Sequence, residues 1–338
     1  MGGGTGLSAL LAGLKRFVRP PLPGSGESLY FADLSAFVTV TDDGGSSGRL
    51  RDEFQTLPPG DIRNCLVALS ADESLLSSLF QYRFNGSGEL SGHNFGNLFL
   101  TALASVTGDF YEAVRAASQV LAIQGRIFPS SNQNVTLVAE LDDGERVKGE
   151  TLISASRKAI RRIALEPPNC SPPVEALEAL EQADLIVIGP GSLYTSLIPN
   201  LLVPGVPDAI ARADAVVVLL ANVMTQPGET TGYSLSDHVT ALQQHCPNLE
   251  LSCILANDEP IALDLLERYR RDGAELVTGS GDKDLPCPVI QEHLLLGGPV
   301  VRHDGAKTAR ALQSLFDILR VHPQASLACL GSNPPGVL

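Results

Sequence analysis

The chain has 338 residues, of which 44% are hydrophobic, so it can form one large domain or two smaller ones. Its 24 basic and 38 acidic side chains give a formal net charge of −14, which argues against general nucleic-acid binding. The sequence has no apolar run that would cross a bilayer, no signal-peptide pattern and no CxxC pair among its six cysteines. These features predict a cytoplasmic protein without a membrane span.

The first half of the chain mixes helical patterns with one strand and one hairpin. Apolar residues at helical spacing predict a helix over residues 7–17, and the β-branched run AFVTVT predicts a strand over 36–41. An Asp-Asp-Gly turn joins two alternating segments, 135–141 and 146–151, which are typical of an antiparallel hairpin. Further helical patterns cover residues 61–69, 73–82, 97–105 and 110–121.

The second half alternates apolar strands with helices. Three strands are predicted at 184–188 (DLIVI), 215–220 (AVVVLL) and 251–256 (LSCILA). Such continuous apolar strands, separated by helices, are typical of a parallel sheet covered on both faces. We therefore expect one doubly wound, mostly parallel α/β domain over residues 1–338, with a helical and hairpin insertion around 60–165. The helical patterns lie at 174–182, 235–245, 261–271 and 307–319.

The first glycine-rich turn, GGGTG, precedes the helix predicted at residues 7–17. Glycines let a phosphate approach the backbone, and a helix N-terminus offers free N–H groups. The spacing is GxGxG and lacks the partner acid of a dinucleotide fold, so a nicotinamide dehydrogenase matches poorly. A loop of this kind normally follows a strand, whereas here only Met1 precedes it. A flexible glycine start is the alternative interpretation.

The second and third turns combine acidic residues with glycine, serine and arginine. In TDDGGSSGRLR, Asp42 and Asp43 can hold Mg²⁺ or a ribose hydroxyl, and the Gly-Gly-Ser-Ser run can surround an anion. An acidic turn that caps the next segment is the alternative. In PPGDIRN, Asp61 is predicted to be a helix N-cap, and Arg63 and Asn64 can face the same ligand. Capping alone would also explain Asp61.

The fourth turn, GPGSLYTS, follows the DLIVI strand directly and gives the clearest signal of the second half. Amide and hydroxyl groups follow the next two strands as well, near Asn222, Gln226 and Asn257. At the carboxyl ends of parallel strands such groups suit a sugar or a nucleobase edge. His93 begins another polar cluster at a helix start, where a structural histidine is the favoured interpretation over a catalytic base.

Seven motifs in order resemble the YvcK family of gluconeogenesis-factor-like proteins, which are relatives of 2-phospho-L-lactate transferase. The similarity covers residues 2 to about 319, nearly the whole chain. It implies a Rossmann-like sheet that binds UDP-sugars, notably UDP-N-acetylglucosamine, and a role in cell shape and in growth on gluconeogenic carbon sources. The motifs are GGGTGLSALLAGLK, VTVTDDGGSSGRLRDEF, PPGDIRNCLVALS, GHNFGNLFLTAL, DLIVIGPGSLYTSLIPNLLVPG, NVMTQPGETTGYSLSDHV and VRHDGAK.

The resemblance also implies positions for the ligand. Arg302 would pair with a phosphate, and Tyr269 would pack on the base or sugar, although packing within its own helix explains Tyr269 equally well. Asp43 and Asp61 match acidic residues that serve a divalent metal in the related transferases. Relatives can carry a hydroxyl residue where this chain has Gly305, so regulation through that hydroxyl is not expected. The other implied ligand residues are Gly4, Thr5, Gly6, Asp42, Gly44, Gly45, Ser46, Gly191, Ser192, Asn222 and Gln226.

The sequence leaves three functions open. The favoured one is a non-catalytic UDP-sugar sensor that acts through a protein partner and requires no cofactor. The alternative is a Mg²⁺-dependent transferase of the 2-phospho-L-lactate transferase type, in which Asp43 and Asp61 hold the metal. A nicotinamide dehydrogenase is a distant third. No Ser-His-Asp or Cys-His arrangement stands out, and the apolar helix faces permit a homodimer.

Overall fold

A computed structural model describes residues 1–18, 31–71, 75–278 and 285–321 of the chain. The described strands are β1 (Ser35–Val38), β2 (Arg126–Pro129), β3 (Thr136–Leu141), β4 (Arg146–Lys148), β5 (Ile160–Glu166), β6 (Leu185–Ile188), β7 (Val216–Leu220), β8 (Cys253–Asn257) and β9 (Val289–Glu292). The described α-helices are α1 (Gly4–Leu14), α2 (Gly45–Phe54), α3 (Gly60–Leu69), α4 (Leu75–Gln81), α5 (Phe95–Thr107), α6 (Phe110–Val120), α7 (Glu150–Ser156), α8 (Val174–Glu181), α9 (Ile198–Leu201), α10 (Val206–Arg212), α11 (Leu235–His245), α12 (Leu263–Arg271) and α13 (Gly305–Val321).

Residues 1–3 join two parallel sheets into one. β1 pairs with β2, and β6 to β9 pair in sequence order, all in parallel. Between them the Gly2 N–H donates to the Phe37 carbonyl (3.1 Å), and the Thr39 N–H donates to the Gly2 carbonyl (3.0 Å). On the other side the Gly189 N–H donates to the Met1 carbonyl (2.9 Å). Residues 1–3 thus occupy the place of the first strand, for which the sequence offered no pattern.

The resulting strand order is that of a doubly wound fold. It runs β2, β1, residues 1–3, β6, β7, β8 and β9, so the chain first builds to one side of its N-terminal segment and then to the other. In such sheets a crevice opens at the topological switch point, where later strands are added on the other side of the first one. Here that point lies between residues 1–3 and β6. The doubly wound, mostly parallel sheet predicted from the sequence is confirmed.

A second, antiparallel sheet has the order β4, β3, β5. The predicted hairpin is confirmed as β3 and β4, but β5 and α7 were not predicted. Thr151, expected in the second strand of the hairpin, lies in α7 instead. β2 falls inside the range predicted as an insertion, yet it belongs to the parallel sheet. The extent of the insertion stays a prediction.

α1 lies in the interior and crosses α13 at very close range. Leu7 and Leu11 of α1 contribute to one buried cluster, and Leu10 and Leu14 contribute to another. A Cβ atom built on Gly305 would lie 2.3 Å from a backbone carbonyl oxygen of α1, well inside non-bonded contact. The absence of a side chain at this position therefore lets the two helix backbones touch.

The predicted helix boundaries agree with the structure to within a few residues, with one correction. Asp61 was predicted to be an N-cap, but α3 begins at Gly60 with Pro59 at the cap, and Asp61 lies in the first turn. The sequence also gave no sign of β9. In the described ranges no helix combines the length and the apolarity that a membrane crossing requires.

Candidate functional site

Two glycine turns lie side by side at the carboxyl edge of the parallel sheet. One follows residues 1–3 and leads into α1, and the other follows β6 and leads into a π-helical turn, Leu193–Leu197. A Cβ atom on Gly3 would lie 3.2 Å from Ser196 Oγ, and one on Gly6 would lie 3.3 Å from Pro190 Cγ. The turns therefore meet at the crevice that the strand order creates.

The turn after β1 reaches the same edge of the sheet. Thr41 Oγ1 donates to the Thr195 carbonyl at 3.4 Å, which brings the start of the Asp42–Ser46 turn against the π-helical turn. Three of the predicted ligand turns thus converge, including those around Asp43 and Gly191. Their contact with a ligand stays a prediction.

Two of the predicted glycines open directly onto free space. Gly4 begins α1 with φ +65°, Gly45 begins α2 with φ +50°, and no other described atom comes within 4 Å of either Cβ position. Side chains are disfavoured at such φ values, so glycine keeps both helix ends bare. A ligand oxygen can approach the backbone N–H groups there.

The two helix ends differ in how far they are already satisfied. The Gly4 N–H donates to Asp61 Oδ2 at 2.6 Å, so a carboxylate of the chain already lies at the N-terminus of α1. At α2, the N–H of the N-cap residue Gly44 donates to Asp42 Oδ1 at 2.9 Å. A carboxylate thus lies at both helix ends, but at α2 it engages the N-cap residue and not the first residue of the helix.

Buried carboxyl groups surround the meeting point of the turns. Burial raises the pKa of Asp61 to about 6. Burial, followed by the charges of Asp42 and Asp61, raises the pKa of Glu150 to about 9. Burial also raises the pKa of Glu229, one of whose oxygens has no hydrogen-bond partner in the described structure. Glu150 and Glu229 were not predicted, because neither belongs to a local pattern that signals a site.

Asp43 already has a structural role. Thr151 donates to Asp43 Oδ1 through its backbone N–H (2.9 Å) and through its hydroxyl (2.6 Å). Asp43 thereby accepts a free N–H at the start of α7, while the other metal candidate, Asp61, accepts from Gly4. Among the described residues no group of three His, Cys, Asp or Glu side chains could hold a metal ion. The carboxylate oxygens of Asp43 and Asp61 suit Mg²⁺ chemically, but both side chains already accept from backbone N–H groups and do not form a ready site.

Four of the predicted ligand residues form one hydrogen-bonded unit after β6 and β7. Asn222 Nδ2 donates to the Gly191 carbonyl (2.8 Å), and Gln226 Nε2 donates to Ser192 Oγ (2.7 Å). Gln226 Oε1 is buried and has no partner in the described part of the chain. The amides fix the shape of the glycine turn and leave one acceptor unused beside it.

Ser46 connects the start of α2 with the start of α5. Its Oγ accepts from Asn97 Nδ2 at 3.2 Å and from the Asn94 backbone N–H at 3.4 Å. Its hydroxyl lies 3.2 Å from His93 Nδ1. Burial lowers the pKa of His93. This network supports the structural interpretation of His93.

Tyr269 and Arg302 lie on α12 and on the loop after β9. The Tyr269 hydroxyl accepts from the Val301 N–H at 3.0 Å and so holds the segment that carries Arg302. The Arg302 side chain is exposed and forms no hydrogen bond or ion pair among the described residues. It is therefore available to a ligand, whereas the Tyr269 hydroxyl is already engaged.

A family model described as 2-phospho-L-lactate transferase CofD matches residues 1–295. The chain belongs to the CofD family. Among its relatives, the gluconeogenesis factor of Halalkalibacterium halodurans is 46% identical over 314 residues, covering 92% of this chain and 94% of the relative. The gluconeogenesis factor of Bacillus subtilis is 45% identical over 318 residues, covering 93% and 96%.

A solved structure has a similar fold. The crystal structure of a member of the UPF0052 family from Bacillus halodurans gives a TM-score of 0.85 at 46% identity, covering 92% of this chain and 96% of that one. The resemblance to gluconeogenesis-factor-like proteins and the α/β fold are thus confirmed. The two glycine turns lie within the part of the chain that matches the CofD family.

Proposed function

We propose that this chain is a regulatory protein that binds a nucleotide-sugar of the UDP-N-acetylglucosamine type. In this role it would support cell shape and growth on gluconeogenic carbon sources through a protein partner in the cytoplasm. The main support is the pair of glycine turns that lie side by side at the topological switch point of the sheet. The helix ends at Gly4 and Gly45 carry no side chain there.

The start of α2 is the proposed place of the diphosphate. Asp61 already accepts from Gly4 at the start of α1, and an anion there would lie against a carboxyl group. At the start of α2 the Asp42 carboxylate engages the N-cap residue Gly44, and Gly45 leaves room above the helix. The sugar or base would then face the unused Gln226 acceptor beside the second turn.

Calorimetry tests this proposal directly. Wild-type protein is titrated with UDP-N-acetylglucosamine, GDP and NAD, and we expect the UDP-sugar to bind most tightly. Gln226→Ala should weaken UDP-sugar binding about tenfold, since it removes a hydrogen bond that shapes the turn and a free acceptor. A protein that binds none of the three nucleotides would refute the proposal.

Arg302 provides a second, independent test. Arg302→Ala should weaken UDP-sugar binding and leave the free energy of unfolding unchanged, because its exposed side chain has no described partner. Arg310→Ala is the matched control, since Arg310 is also exposed and lies on α13. Unchanged affinity in Arg302→Ala would remove this residue from the site.

A transferase of the 2-phospho-L-lactate transferase type is the second candidate. It is favoured by the family match and by the buried carboxyl group of Asp61 beside the Gly4 turn. The reaction would move a phospho group from a nucleotide carrier to an acceptor hydroxyl, which attacks phosphorus as the nucleotide leaves. Mg²⁺-dependent GDP binding with turnover of a flavin-like acceptor supports this candidate. Tight UDP-sugar binding with no product after long incubation supports the regulatory role.

A further inference from the structure

Three arginines gather at the N-terminus of α5. Arg49 comes from α2, Arg63 from α3, and Arg83 from the loop that follows α4. Arg49 Nη2 donates to the Ser91 carbonyl (3.0 Å), and Arg83 Nη1 donates to the Gly92 carbonyl (2.6 Å). Both guanidinium groups are thus held close to the start of α5, with most of their N–H donors still unused.

Arg63 completes the group from the side of the glycine turns. A Cβ atom on Gly96, the second residue of α5, would lie 2.9 Å from both Cγ and Cδ of Arg63, so the arginine stem crosses the first turn of that helix. Its Nη2 donates to Asn64 Oδ1 at 2.5 Å, while its Nε is buried and has no partner in the described structure. The charges of Asp61 and Asp42 act on Arg63 as well, so the group borders the crevice.

The positive charge of this group is compensated only in part, by the charges of Asp61 and Asp42 that act on Arg63. Within the described ranges no carboxylate oxygen forms an ion pair with Arg49, Arg63 or Arg83. After burial, the charge of Arg83 is the next cause that lowers the pKa of Arg63. The first turn of α5 contains no acidic residue, and a helix N-terminus adds partial positive charge of its own.

Such an arrangement stands out in a chain with a net charge of −14. Like charges repel one another, and cations are disfavoured at helix N-termini, so the three guanidinium groups are unfavourable neighbours at this helix start. An oxyanion between the guanidinium groups would remove both penalties. Guanidinium groups bind phosphate and carboxylate through paired N–H donors, which gives them their preference for these anions.

We propose that Arg49, Arg63 and Arg83 form an oxyanion subsite that binds the phosphate or carboxylate group of a small acidic metabolite. This subsite goes beyond the proposed nucleotide-sugar site: of the three arginines only Arg63 was predicted to face the nucleotide, and Arg49 and Arg83 lie outside both glycine turns. Ser46 lies between the two places, since its Oγ accepts from Asn97 of α5 while its backbone belongs to the start of α2. Occupancy of one place can therefore affect the other through the α2–α5 contact.

The test measures binding of inorganic phosphate, and of malonate as a carboxylate probe, by calorimetry and ³¹P NMR. The double variant Arg49→Gln/Arg83→Gln removes two exposed guanidinium groups that bond only to loop carbonyls, so the fold should persist. Arg115→Gln is the matched control, since Arg115 is an exposed helical arginine paired with Glu112. Circular dichroism and UDP-sugar affinity are recorded for every variant.

We expect wild-type protein and Arg115→Gln to bind at least one probe, and the double variant to bind it at least about tenfold more weakly. The probe that binds more tightly shows whether the ligand group is a phosphate or a carboxylate. Saturation with UDP-N-acetylglucosamine should leave probe binding in place. Absence of probe binding, equal affinity in the double variant, or displacement by the UDP-sugar would overturn the subsite. Failure of the nucleotide-sugar proposal would appear separately, as wild-type protein that binds phosphate but no UDP-sugar.

Discussion

The crossing of α1 and α13 makes a strong prediction about Gly305→Ala. The new Cβ atom would lie 2.3 Å from the Ala9 carbonyl oxygen and 3.0 Å from the Gly13 nitrogen, all backbone atoms that cannot rotate away. Reaching ordinary contact requires the helices to separate by about 1 Å, since non-bonded atoms pack at about 3.5 Å. That separation would loosen the leucines that α1 and α13 bury together.

Overpacking of this kind costs about 1–3 kcal/mol. The gain in helix propensity is smaller than the about 1 kcal/mol of a helix interior, because Gly305 is the first residue of α13. We therefore expect the free energy of unfolding to fall by about 1–3 kcal/mol in Gly305→Ala. Gly305→Ser should behave alike, since the clash arises at Cβ and the hydroxyl lies beyond it.

Urea unfolding followed by far-UV circular dichroism measures this change, because the chain lacks tryptophan. Ser314→Ala, at an exposed position of the same helix, is the control and should stay within about 0.5 kcal/mol of wild type. A Gly305→Ala protein as stable as wild type would show that the two helices do not touch as described.

Two further predictions concern the buried polar groups near the turns. The folded state raises the pKa of Glu150 from its ordinary value to about 9, so it binds the proton more tightly than the unfolded chain and stability falls as pH rises from about 4.5 to about 9. Glu150→Gln should flatten that fall in urea unfolding at several pH values, and an unchanged slope would contradict the pKa shift. Asn200→Ala should lower the free energy of unfolding by about 2 kcal/mol, because it leaves the Gly2 and Ser196 carbonyls without the buried amide. A melting temperature equal to that of wild type would count against this role.

The sequence predicted the parallel sheet well because its strands carry a strong local signal. The β6 and β7 strands are short apolar runs that end just before Gly189 and Asn222, and such runs are typical of strands buried on both faces of a sheet. β5 was not predicted because the buried residues of IRRIALE, Ile160, Ile163 and Leu165, do not alternate strictly with exposed ones, and two arginines separate the first two. Residues 150–156 follow a hairpin strand directly, and seven residues are too few for a clear helical period.

The candidate site was predictable only where its residues share a turn. Gly191 and Ser192, with Asn222 and Gln226, stand at strand ends that the pattern identified, and the structure brings them together. Asp61 was assigned the wrong local role, because its partner is the N–H of Gly4, far away in the sequence. Glu150 and Glu229 likewise join the carboxyl cluster through the fold and not through sequence spacing.

The three-residue N-terminal segment has a consequence for how the crevice should respond to a ligand. Few hydrogen bonds connect Gly2 to the neighbouring strands. The sheet should therefore open more readily at residues 1–3 than in the ladders between β6 and β8. The crevice lies beside these same residues. A molecule bound across it would tie the two halves of the protein together, and the amides of Gly2, Thr39 and Gly189 would then exchange more slowly with deuterated solvent.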